Sequence, residues 1–246
     1  MEQLSYNISK QENISSKVSV LKCTSINDVS SLLKDLKPNK INFINLGLQN
    51  YMETWELQKK IHNKNKNSEI PDVVLFLEHN NVYTFGKNAD KDFLLGTHPK
   101  AEVVETDRGG QVTYHGPGQL VGYPIINLNH YKKSITWFMR SLETIIINVL
   151  EQYQITSSNK DNLPGVWIND DKICAMGVRI AKWVTMHGFA LNIKPNMKYF
   201  DGMIPCGILD HGVTSMYEQL NDNISKEELI KRIAMQFDLI FNLDEI

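Results

Sequence analysis

The 246-residue sequence predicts an α+β fold, and three observations carry that expectation. Apolar runs of strand length outnumber helical stripes. Most neighbouring runs are separated by short polar turns, which join antiparallel strands. Two or three segments alone sustain a 3.6-residue apolar period, too few for an alternating βαβ array.

Taken in chain order, residues 1–40 are polar and rich in Ser, Asn and Lys, and read as an N-terminal extension. The first 17 read as a tail or an organellar targeting segment, with mixed charges (Glu2, Lys10, Glu12, Lys17) weighing against the latter. The globular domain is expected over 41–246. Ile41–Leu46 reads as a strand. Leu48, Tyr51, Met52 and Trp55 follow i, i+3, i+4, i+7 and predict a helical face. Lys64–Ser68 reads as a polar loop. Val73–Glu78 and Val82–Phe85 flank Asn80-Asn81, which predicts a hairpin. Val103–Thr106 and Leu120–Asn127 are further strands. Ser134 caps a helix whose stripe runs Ile135, Phe138, Leu142, Ile145, Ile146, Val149, Leu150 and Tyr153. Val166–Asn169 and Lys172–Ile180 flank Asp170-Asp171 as a second hairpin, and Thr185–Asn192 follows as a strand. Ser225-Lys-Glu-Glu228 is a capping box, opening a helix with Leu229, Ile233, Phe237 and Ile240 on one side.

Composition excludes several classes. A net charge of -2 offers no basic footprint for nucleic acid. No apolar run approaches the roughly 18 residues of a membrane span. Three cysteines without a CxxC pair argue against a disulfide framework or zinc ribbon. No HxxxH pair is present, so no metal site is expected. Twenty-two lysines stand against four arginines, and twenty-four asparagines accompany them; the skew looks like an AT-rich genome.

Four glycines and a proline lie in Arg108-Gly-Gly-Gln-Val-Thr-Tyr-His-Gly-Pro-Gly-Gln119. Such a segment cannot be an ordinary helix and shapes a site where backbone approaches a ligand. It matches neither GxxxxGK[ST] nor GxGxxG. Cys206 sits between Pro205 and Gly207, outside regular structure, and is a candidate nucleophile. It would need a base or a positive neighbour, with His115, His187, His211 and Lys172 as candidates. Each histidine could equally bond backbone in a tight turn, and Lys172 could be a solvated turn residue. Cys174 reads as packing and Cys23 as incidental.

These residues resemble a known family, the lipoyl(octanoyl) transferases. Leu46-Gly47, Tyr51, Thr54-Trp55, Leu77-Glu-His79 and Val82-Tyr-Thr-Phe-Gly86 resemble its opening. The string from Arg108 to Ile125 is its most distinctive. Gly165-Val-Trp-Ile-Asn169, Lys172–Ile180, His187–Asn192 and Ile204–Ile208 follow in the family's order, so the match covers about 41–220. The resemblance implies the mixed sheet with packed helices of the biotin and lipoate protein ligases. It implies a dyad in which Cys206 carries the acyl group as a thioester and Lys172 assists. It implies an acyl pocket lined by Arg108, Gly109, Gly110, Gln111, Val112, Thr113, Tyr114 and His115, by Ala175, Met176 and Gly177, and by Gly188, Phe189 and Ala190. Backbone N–H groups of Gly188–Ala190 or near Cys206 are the expected oxyanion donors.

The implied reaction takes octanoyl or lipoyl from acyl carrier protein to a lysine of lipoyl domains. The expected acceptors are the 2-oxoacid dehydrogenase complexes and the glycine cleavage H protein. No cofactor is expected beyond the carrier's own phosphopantetheine, and the expected state is a monomer. Eukaryotic members serve mitochondria or plastids, so a mitochondrial location is expected from the polar start. Two other readings stand beside this one: an ATP-dependent lipoate or biotin ligase of the same fold, and a catalytically silent scaffold.

Overall fold

The computed structural model describes residues 18–204 and 211–241. Its first half runs β1 (Val20–Lys22), α1 (Ile26–Leu32), β2 (Asn42–Gln49), α2 (Tyr51–Lys66), β3 (Val73–His79), β4 (Val82–Phe85), β5 (Glu102–Glu105), β6 (Thr113–His115) and β7 (Gln119–Ile125). The second half runs α3 (Ile135–Gln152), β8 (Ser158–Lys160), β9 (Leu163–Ile168), β10 (Asp171–Ala181), β11 (Val184–Asn192), β12 (Gly212–Val213), α4 (Met216–Leu220) and α5 (Lys226–Ile240).

Among the described residues these strands form a large mixed sheet, ordered β1-β2-β3-β7-β11-β10-β9-β8 with β12 beside β10, and a small sheet, β5-β4-β6. β1, β2 and β3 run parallel; from β3 through β8 the pairing is antiparallel. The expected mixed sheet with packed helices is what the chain forms.

The period-two rule explains how the large sheet is covered on both faces. On β3, Val74 and Phe76 face α3 and α5, packing with Phe138, Ile145, Ile233 and Phe237. The alternate residues Val73, Leu75 and Leu77 face Leu57 and Ile61 of α2 and Val29 of α1. A strand buried on both sides must be apolar throughout, which is why Val73–Leu77 has no polar residue. Ser134 caps α3 by accepting from Trp137 N, and Ser225 caps α5 by accepting from Glu228 N. A third cluster, with Tyr83, Tyr114, Tyr199 and Phe200, lies with the small sheet.

Several local expectations are corrected. The packed unit takes in the chain ahead of Ile41: β1 pairs with β2, and Cys23, Val29, Leu33 and Leu36 are buried against the α2 side. Cys23 is therefore a core residue. α2 continues through Lys66, where a loop was expected, and its buried face is Tyr51, Thr54, Leu57, Gln58, Ile61, His62 and Asn65. Leu48 and Met52 are exposed instead. Asn80-Asn81 does not join a hairpin, because β3 belongs to the large sheet and β4 to the small one. The β9–β10 hairpin forms one residue early: Ile168 opposes Asp171, with Asn169 at φ 53° in the turn. Ala181 opposes Val184 in the next hairpin, so Lys182 and Trp183 take the positive φ values that a two-residue I′ turn requires. No helix among the described residues is long and apolar enough to cross a membrane.

Candidate active site

The glycine-rich segment leaves β5 and lies across the β10–β11 hairpin before re-entering the small sheet as β6. Its path is fixed by backbone and side-chain ties. Lys87 N donates to Arg108 O at 2.9 Å, and Gly109 N donates to Val178 O at 3.0 Å. The buried Arg108 guanidinium donates to the Thr84 hydroxyl at 2.9 Å and to its carbonyl. Close approach explains one glycine in the floor: a Cβ on Gly177 would meet Gly109 O at 2.7 Å. Gly118 closes the turn into β7 with φ +90°, where a Cβ would meet Lys194 O at 2.1 Å.

Beneath this segment is a cavity of about 320 Å3. Arg108, Gly109, Gly110, Gln111, Val112, Thr113 and His115 line it, with Ala175, Met176, Gly177, Gly188, Phe189 and Ala190. The last six come from two separate motifs, yet they are direct cross-strand partners: Ala175 with Ala190, Met176 with Phe189, Gly177 with Gly188. Tyr114 is a correction. Alternation along β6 sends its ring away from the cavity, where it stacks on Tyr199 at 4.7 Å and donates to Asn81 Oδ1 at 2.7 Å.

Lys172 is buried and also lines the cavity. It is the second residue of β10, opposite Trp167 of β9, and the ladder slips between Lys172 and Cys174. Its ammonium donates to Pro164 O at 3.0 Å and lies 4.5 Å from the Trp167 ring centre. Cys206 lies outside the described residues. Phe200 and Met203 before that stretch, and Val213 after it, line the same cavity.

Burial holds the histidines and Tyr51 around the cavity uncharged. His115 donates from Nδ1 to Gln119 Oε1 at 2.7 Å and stacks on Tyr51. Burial, with His79 nearby, pushes its pKa down to about 3. His79 donates from Nδ1 to Gln49 O and accepts from Tyr123 OH at 2.7 Å. Burial lowers it to about 4. Tyr51 is pushed up to about 12 by burial. His187 is lowered by burial although its Nε2–H donates to Asp107 Oδ1 at 2.8 Å; Asp107 is lowered in turn, chiefly by that hydrogen bond. These histidines are therefore neutral near pH 7 and orient neighbours. His211 lies apart from the cavity lining, against Trp167. Cys174 is fully buried in the core and burial pushes its thiol up, which suits packing.

Two features depart from the sequence reading. β11 is flanked by β7 and β10, so the peptide groups of Phe189 and Ala190 lie in sheet ladders and are not the expected oxyanion donors. Tyr51, Gln119, Tyr123, Ile135, Met139, Asn162, Leu163, Pro164 and Asn192 line the cavity too. Tyr51 was read as part of a helical face and Ile135 as part of a core stripe; both assignments looked complete without a cavity. No group of three or more His, Cys, Asp or Glu side chains among the described residues could hold a metal.

Residues 50–238 match the family described as lipoyl protein ligase A/B catalytic domain. The octanoyltransferase of Synechococcus elongatus is 39% identical over 204 residues, covering 82% of this chain and 87% of that protein. Among solved structures, LipL1 of P. falciparum in complex with lipoate superposes with a TM-score of 0.63 at 19% identity, over 81% of this chain and 63% of that one. The biotin protein ligase of Aquifex aeolicus, solved with biotin and ATP, gives 0.51 at 14% identity, over 81% and 68%. The structural likenesses bear on the fold.

Proposed function

The chain belongs to the octanoyltransferases, within the lipoyl protein ligase A/B catalytic-domain family, and we propose that it acylates lipoyl domains through a thioester on Cys206. The donor is octanoyl, or lipoyl, on the phosphopantetheine of acyl carrier protein. Attack by the Cys206 sulfur on the carbonyl breaks the carrier's C–S bond, and the carrier thiol leaves with a proton. The acceptor lysine amine then attacks the new thioester. An amide forms and the Cys206 thiol is regenerated. The first exchange is nearly isoenergetic and the second runs downhill, so neither ATP nor another cofactor is required.

The observation that carries this reading is the Lys172 ammonium on the cavity wall. A positive charge near a thiol favours the thiolate. The same group can return a proton to the leaving thiol and relieve the attacking amine of one. The cavity suits the acyl chain, since each buried CH2 contributes about 0.8 kcal/mol.

Acceptors of the expected chemistry are the lipoyl domains of 2-oxoacid dehydrogenase complexes and the glycine cleavage H protein. For a mitochondrial location, residues ahead of Val18 are the part of the chain available as a targeting signal, because Val20–Lys22 is a strand. The N-terminal residue of the mature protein, sequenced from its source, checks that point.

The test mixes the protein with octanoyl-carrier protein without nucleotide. An octanoyl mass increment mapped to Cys206, followed by transfer to a lipoyl domain, is expected; Cys206→Ser loses both. Transfer that needs ATP and survives Cys206→Ser would instead identify a ligase. Neither adduct nor transfer, with binding of the two proteins intact, would identify a scaffold.

A further inference from the structure

The Asp107 carboxylate bridges two residues of the hairpin under the glycine-rich segment. Oδ1 accepts from His187 Nε2 at 2.8 Å and Oδ2 lies 3.1 Å from Arg179 Nη1. Register places these residues on facing strands, with His187 opposite Val178 and Arg179 the next residue along.

His187 holds an unusual backbone for its place. Its φ is 60° inside a strand, a conformation that costs a non-glycine residue on the order of 1–3 kcal/mol and persists where neighbours fix it. Gln58 of α2 accepts from its backbone N at 2.9 Å, which holds the main chain. Asp107 holds the ring. A left-handed residue breaks the side-chain alternation of a strand, and here the imidazole lies near Trp55 and Tyr123, at 6.1 and 6.3 Å between ring centres. That is the side from which Asp107 reaches it. The unusual φ therefore has a use: it makes the ring available to the segment above.

Asp107 directly precedes Arg108, so its contacts with the hairpin anchor the chain where it enters the cavity's roof. The next tie, Gly109 N to Val178 O, lands on the residue paired with His187. Neither Asp107 nor Arg179 is deeply buried, with side chains 32% and 40% exposed, and Asp107 does not line the cavity. A surface ion pair alone contributes little. The buried imidazole, 2% exposed in its side chain, makes this contact a charge-assisted hydrogen bond at a fixed point.

We propose that Asp107 is a positioning residue, clamping the segment 108–112 onto the β10–β11 hairpin through His187 and Arg179 and so setting the height of the cavity roof. The test compares Asp107→Ala with Asp107→Asn. Asparagine still accepts from His187 Nε2–H but loses the charge, so it falls between wild type and alanine. Amide hydrogen exchange over 109–112 is expected to quicken by roughly tenfold in the alanine variant and by a few-fold in asparagine, the size of one charge-assisted bond. KM for octanoyl-carrier protein should rise in the same order, with kcat within about threefold. The KM readout rests on the transfer activity proposed above, whereas exchange does not, so failure of that reading leaves this one testable. Wild-type exchange at 109–112 in either folded variant overturns the proposal. Should the alanine variant not fold, the asparagine variant decides by the same measurement.

Discussion

Lys172 reaches across the β9–β10 hairpin to donate to the carbonyl of Pro164, 3.0 Å from its ammonium. Gly165 makes room for that path: a Cβ there would lie 3.2 Å from Lys172 Cε and 2.6 Å from Cys174 O. The lysine is thus fixed by a backbone acceptor, an aromatic face and a missing side chain. Replacing Lys172 by Met keeps most of the stem and removes the charge. Transfer from octanoyl-carrier protein should fall by about 10²–10⁴-fold, the range for loss of a positioned proton-transfer group, while circular dichroism stays native. Wild-type turnover would exclude Lys172 from the chemistry.

Gly177→Ala tests how tightly the roof sits on the floor. Its new Cβ would lie 2.7 Å from Gly109 O, a backbone atom that cannot swing aside as a side-chain tip can. Overpacking of this kind costs about 1–3 kcal/mol. Urea unfolding should show that loss, and KM for the acyl donor should rise as the roof lifts. A midpoint equal to wild type would mean the segment moves at no cost.

Acid should destabilise the fold through its buried histidines. An unfolded chain protonates histidine near pH 6.5, whereas folded His79 and His115 resist protonation until about 4 and about 3. Below pH 6.5 the unfolded state binds more protons, so stability falls as pH falls. Their contribution is whole above pH 6.5 and lost progressively down to those lower values. Asp72, whose carboxyl is raised by burial, acts in the opposite sense. Urea midpoints at about pH 7.5 and about pH 5 should differ in favour of the higher pH. Replacing His79 by Gln, which can still donate and accept, should shrink the difference; an unchanged difference would remove His79 from the account.

Residues 18–40 should matter to stability. Val29, Leu33 and Leu36 are buried against the α2 side of the sheet, and each such side chain contributes roughly 1.5–3 kcal/mol when fully buried. Extending a deletion from residue 17 to residue 40 should therefore lower the melting temperature by several degrees or more. Equal melting curves would show that β1 and α1 add nothing.

The parts of the fold legible in the sequence were those whose cause is local. Ser134 and Ser225 announced their helices because capping is decided within one turn. The cavity residues of β10 and β11, Ala175–Gly177 and Gly188–Ala190, were reached through the family resemblance and not through any local rule. What failed was decided at a distance. Asn80-Asn81 is good turn chemistry, but no local rule says that the next strand joins another sheet. The buried face of α2 carries Gln58, His62 and Asn65, polar residues whose partners lie off the helix, so an apolar stripe found Tyr51 but took in exposed Leu48 and Met52 and missed these three. Tyr114 shared a motif with cavity residues while its strand turned it away. The Asp107–His187 contact joins residues eighty positions apart, and nothing in either motif announced it.

The paired Ala175–Ala190 and Gly177–Gly188 have a consequence for the thermodynamics of binding in the cavity they line. Glycine and alanine possess no rotamers to lose, so ordering them costs nothing in side-chain entropy. A wall built from them meets any ligand already as stiff as the sheet beneath. Along these two pairs, the disorder surrendered on binding belongs to the ligand's own torsions.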